Sequence, residues 1–115
     1  MNRKYSLKKN YEIEKLVKAK KSVGNRYYAI YYQITNELDP KIAISVSKRF
    51  KTAVKRNYNK RVTKEIIRKY LDGLNNLKML IVVKDSVDKL TYKEKEGQLM
   101  YLINKILRSK NEETK

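Results

Sequence analysis

Between Arg26 and Ile34 the chain reads Arg-Tyr-Tyr-Ala-Ile-Tyr-Tyr-Gln-Ile, a run rich in aromatic and β-branched residues. That pattern predicts a strand. Alternation sets Tyr28, Ile30, Tyr32 and Ile34 on one face, which reads as core, and Tyr27, Ala29, Tyr31 and Gln33 on the other. Lys41 to Ser47 predicts a second strand, with Ile42, Ile44 and Val46 pointing one way. Asn36 to Pro40 is the turn between them, marked by Asp39-Pro40. The simplest pairing of the two strands is an antiparallel hairpin. Met79 to Val83 is a short unbroken apolar run, which suits a strand buried on both faces.

Helical periods occupy most of the rest. Asn10 is placed to cap a short helix through Lys20, with Ile13, Leu16 and Val17 on one face, and Gly24-Asn25 breaks it. Thr52 can cap a second helix, for which Gly73 supplies a stop. Within it Val54, Tyr58, Val62, Ile66 and Tyr70 recur every four residues as an apolar stripe. Arg56, Lys60, Lys64 and Arg68 recur at the same spacing on the other side, flanked by Asn57 and Arg61. Ile67 and Leu71 fall near the basic sector and blur this division. After a loop from Asp85 to Leu90, Thr91 and Glu94 fit a capping box. The last helix then turns Leu99, Leu102, Ile103, Ile106 and Leu107 to the core, and the polar tail beyond Arg108 should fray. The order helix, strand, strand, helix, strand, helix predicts an α+β sandwich, helices on a small mixed sheet, in one domain over residues 1–115.

Charge changes the picture most. The net charge is +17, from 29 Lys and Arg against 12 Asp and Glu. Such a chain repels itself and calls for an anionic partner, nucleic acid first and an anionic membrane second. Between Lys48 and Lys69 there are ten cations and one acid, Glu65, so ion pairing along the helix cannot account for them. Lys55 and Arg56 stand in the first helical turn, with Arg49 and Lys51 just before it. Cations there face the positive end of the helix dipole, at about 0.3–1 kcal/mol each when exposed. This points to a polyanion-binding face rather than a merely solvated one.

No apolar run reaches the ~18 residues of a membrane span, and no signal peptide is evident. With no cysteine and no histidine, disulfides and thiolate or imidazole metal sites are excluded. The expected location is the cytoplasm. The twelve acids are scattered, and Glu94 and Glu96, two residues apart, do not share a helix face. A protein-borne metal nuclease is therefore not expected.

Ser45-Val46-Ser47-Lys48, followed by Ala53-Val54, Arg56-Asn57, Lys60-Arg61 and Glu65, resembles the signature of the bacterial ribonuclease P protein subunit in order and spacing. Fainter likeness extends over residues 5–107. Two positions depart from the pattern: the Arg-Asn-Arg trio reads Arg56-Asn57-Tyr58, and the Arg before the Glu is Lys64. The resemblance implies an α-β-β-β-α-β-α two-layer sandwich with one more short strand and a left-handed crossover, against the usual hand. It implies a protein without an active site of its own. The catalytic RNA would carry catalysis and bind Mg²⁺, and no obligate protein partner is implied.

The residues expected on the catalytic RNA are Lys48, Arg49, Lys51, Lys55, Arg56, Asn57, Lys60, Arg61, Lys64 and Arg68. The resemblance also implies a cleft between the first helix and the sheet for the 5′ leader of precursor tRNA. Ile13, Val17, Arg26, Tyr27, Ala29 and Tyr31 would line it. Tyrosines on a sheet surface can stack on single-stranded bases, whereas Tyr28 and Tyr32 read as core rings. The competing reading is a non-catalytic RNA-binding ribosomal or assembly protein, since similar sandwiches serve both. A membrane-surface helix is more distant, because its apolar face is needed for the core.

Overall fold

The computed structural model describes Glu14, Lys18 and residues 21–113. Its elements are β1 (Ser22–Gly24), β2 (Tyr28–Ile34), β3 (Lys41–Val46), α1 (Ala53–Arg68), β4 (Leu77–Val83) and α2 (Tyr92–Glu113). Short 3-10 turns at Leu71–Gly73 and Asp85–Lys89 flank β4. Of the expected first helix, Glu14 and Lys18 are helical and exposed, while Ile13 and Val17 lie outside the described residues.

The four strands form one mixed sheet in the order β1-β2-β4-β3. β2 runs antiparallel to β4, and β3 runs parallel to it. The expected hairpin of β2 with β3 is therefore corrected: β4 lies between them. Its unbroken apolar run needs cover on both faces and takes the interior place, where Leu77, Met79, Leu80, Ile81 and Val83 are all buried. The turn after β2 binds the entrance to β4 instead of closing a hairpin. Thr35 donates to Asn76 O at 2.8 Å, and Asn76 Nδ2 donates to Glu37 O at 2.9 Å. Asn76 holds a left-handed φ of 66°, a conformation that Asn tolerates better than most residues.

β1 is the additional short strand that the resemblance implied. It pairs antiparallel with β2, Gly24 opposite Ala29. Asn25 organises the corner, its Oδ1 accepting from the backbone N–H of Tyr27 and Tyr28, both at 2.9 Å.

One sheet face carries Tyr28, Ile30 and Tyr32 of β2 in register with Val83, Ile81 and Met79 of β4. Against it pack Val62, Ile66 and Ile67 of α1, and Leu99, Leu102, Ile103 and Ile106 of α2. Each such aliphatic side chain contributes roughly 1.5–3 kcal/mol on full burial. The capping box forms as its residues predict, Thr91 N donating to Glu94 Oε1 at 3.0 Å and Glu94 N to Thr91 Oγ1 at 3.2 Å. α2 continues to Glu113, through the tail expected to fray.

Candidate nucleic-acid interface

α1 begins where Thr52, in extended conformation, accepts a 3.1 Å hydrogen bond from Lys55 N at its Oγ1. It ends at Arg68, five residues before the expected stop, and Gly73 instead closes the following 3-10 turn. The buried face of α1 is Asn59, Val62, Thr63, Ile66 and Ile67. This corrects the apolar stripe. Val54 is 77% exposed and Tyr58 51% exposed, and only Val62 and Ile66 of that stripe are fully buried. A spacing of four drifts about 40° per step on a helix of 3.6 residues per turn, so a five-member row cannot stay on one face. The two missing places are filled by polar residues. Thr63 Oγ1 donates to Asn59 O at 2.8 Å, and Asn59 Nδ2 donates to Lys55 O at 2.9 Å. The Tyr28 hydroxyl reaches Thr63 from the sheet, and burial pushes its pKa well above the usual phenol range.

Opposite that face, Asn57, Lys60, Arg61, Lys64 and Arg68 are all exposed on one arc. The first turn of α1 holds no acid. Lys48, Arg49 and Lys51 are exposed in the loop that leads into it. The remaining two expected contacts stand differently. Arg56 is half-buried, and Lys55 turns to the loop after β4, its Nζ 2.8 Å from Asp88 Oδ2. The Lys55 hydrogen bond holds the Asp88 carboxyl below its usual pKa. The same corner forms a cavity of about 330 Å³ between the loops after β3 and β4, lined by Arg49, Lys51, Lys55, Ser86 and Lys89 among others.

The second sheet face carries the other tyrosines. Register aligns Tyr31, Leu80 and Ala43 in one row, and Ala29, Val82 and Ser45 in the next. Tyr31, Ala43 and Val82 pack around buried Leu80. Tyr27 does not join them. It precedes β2 and packs against the helix-covered core, so alternation does not carry it to the face of Tyr31. The corner holding Arg26 and Tyr27 is tied to β4 and the turn after it. Lys84 N donates to Tyr27 O at 3.0 Å, Lys84 Nζ to Asn25 O at 2.7 Å, and Ser86 Oγ to Arg26 O. Arg26 itself is exposed.

One feature absent from the sequence expectation is a seam between α1 and α2. Lys95 is 5% exposed, and its Nζ lies 5.0 Å from the centre of the Tyr58 ring. Helical spacing alone could not pair residues from separate helices.

The Ribonuclease P family model matches residues 1–107. The ribonuclease P protein component of Mycoplasma mobile is 33% identical over 110 residues, 96% of each chain. That of Acholeplasma laidlawii is 39% identical over 93 residues, 80% of each chain. Among solved structures, the RNase P protein of Staphylococcus aureus superposes with a TM-score of 0.78 at 26% identity, over 87% of this chain and 93% of that one. The Thermotoga maritima RNase P protein, 19% identical, shares the fold with a TM-score of 0.74, over 84% of this chain and 93% of that one. Sequence and fold agree along nearly the whole length, and the chain belongs to the bacterial ribonuclease P protein family.

Proposed function

We propose that the chain clamps the catalytic RNA of ribonuclease P along the exposed arc of α1 and holds the 5′ leader of precursor tRNA near Tyr31. As a ribonuclease P protein it serves tRNA 5′ processing and partners the ribonuclease P RNA. The observation that carries the detailed reading is the run of Asn57, Lys60, Arg61, Lys64 and Arg68 on one solvent-facing arc, with Lys48, Arg49 and Lys51 ahead of it. Cations spaced along a rigid helix can neutralise successive phosphates and release their counterions.

Catalysis belongs to the RNA in this reading, together with the Mg²⁺ of the reaction. On the protein side, Glu94 and Glu96 are already engaged. Glu94 caps α2, and Glu96 Oε2 sits 3.1 Å from Lys69 Nζ. The leader would lie on the second sheet face, stacking on Tyr31 over the small side chains of Ala29 and Ala43, with Arg26 nearby as a cation. Tyr27 is set at the corner rather than on that wall.

The test is reconstitution. The protein is mixed with a ribonuclease P RNA and precursor tRNA at low salt, and 5′ cleavage is followed. Cleavage stimulated by the protein with the RNA, and absent with the protein alone, is expected. Cleavage by the protein alone, or no effect of the protein on the RNA-driven reaction, overturns the reading.

A further inference from the structure

Tyr58 and Val54 stand one turn apart on α1, 51% and 77% exposed, on a helix whose other exposed positions are nearly all polar. Single exposed apolar residues are ordinary. Here three observations set the pair apart. The ring is held from below: Lys95, from the other helix and almost wholly buried, places its ammonium 5.0 Å from the ring centre. An exposed cation borders the ring, Arg61 three residues after it, while Lys55 three residues before it is paired with Asp88. It also occupies the third place of the trio Arg56-Asn57-Tyr58, at the edge of the basic arc.

A ring that is oriented by a buried cation, open on its outer side and bordered by an exposed arginine of the basic arc has the chemistry of a base platform. Unpaired bases splayed from a folded RNA stack on such rings, while duplex RNA keeps its bases inside. We propose that Tyr58, with Val54 beside it and Lys95 beneath it, stacks an unpaired nucleobase of the ribonuclease P RNA. The proposal rests on the reading of α1 as the RNA-binding face. It adds a contact that is neither a phosphate contact nor part of the leader site. A basic surround favours a nucleic acid over a second copy of this chain, whose matching surface would bring like charges together.

The experiment measures affinity of the full chain for ribonuclease P RNA and for a plain RNA duplex of equal length, across salt concentrations. Tyr58→Ala and Tyr58→Leu should bind the ribonuclease P RNA about 5- to 150-fold more weakly, with an unchanged salt slope. Tyr58→Phe should match the wild type, and none of the three should change duplex binding. Wild-type affinity in Tyr58→Leu, or an equal loss on the duplex, overturns the stacking site while leaving the basic face intact. A change in sedimentation of the free protein without a change in RNA affinity assigns the strip to self-association and overturns it as well. Failure of the wild type to bind the ribonuclease P RNA would instead overturn the reading of α1 itself.

Discussion

Lys95 is a lysine with 5% exposure, and burial holds its pKa below the usual value, opposed by the nearby Asp88 carboxylate. Because the folded-state pKa lies below that of the unfolded chain, the charged form burdens the fold at neutral pH. The burden lifts as pH rises through the folded value towards 10.5. Lys95→Met should therefore raise the melting temperature at pH 7, and its advantage over the wild type should shrink as pH approaches 10.5. Thermal denaturation of the two proteins across that range checks this, and a lower melting temperature for Lys95→Met at pH 7 contradicts it. Tyr31 makes a separate prediction. Tyr31→Ala should weaken precursor tRNA binding by roughly 1–3 kcal/mol and leave mature tRNA binding almost unchanged. Affinities for precursors with leaders of increasing length decide it. A penalty that persists with no leader makes Tyr31 structural.

At the scale of elements, α1 both seats the fold and carries the arc proposed to meet the RNA. Lys60→Ala and Lys64→Ala lie on its exposed arc, so neither opens a cavity. Each should weaken assembly with the ribonuclease P RNA while leaving circular dichroism unchanged; undiminished affinity in both would remove the arc from the interface. Thr52→Ala should cost about 1 kcal/mol through the lost cap, read as a lower urea midpoint.

What was legible in the chain follows from period and range. β2 alternates with a period of two that does not drift, so Tyr28, Ile30 and Tyr32 could be assigned to the core. The start of α1 is legible in Thr52, but its buried face is not, because Val54 and Tyr58 fit a spacing of four while Asn59 and Thr63 are polar yet buried. Alternation does not reach Tyr27, which lies before the start of β2 in a corner ruled by Asn25. Ser22–Gly24 is too short to signal a strand by propensity, and only the family resemblance supplied it. The place of β4 between β2 and β3 is a choice among distant partners, which local pattern does not encode.

At the scale of the whole molecule, the fold alone would suit several RNA-binding roles. The agreement of the Ribonuclease P family model along residues 1–107 separates them. Among the described residues no helix is long and apolar enough to cross a membrane. The net charge of +17 then makes one central prediction, an RNA grip driven by counterion release. The most direct measurement is the affinity for ribonuclease P RNA against salt concentration. If the α1 arc and its leading loop neutralise about five phosphates, log K should fall against log salt with a slope of about −3.5 to −4.5. A slope near zero would contradict the account.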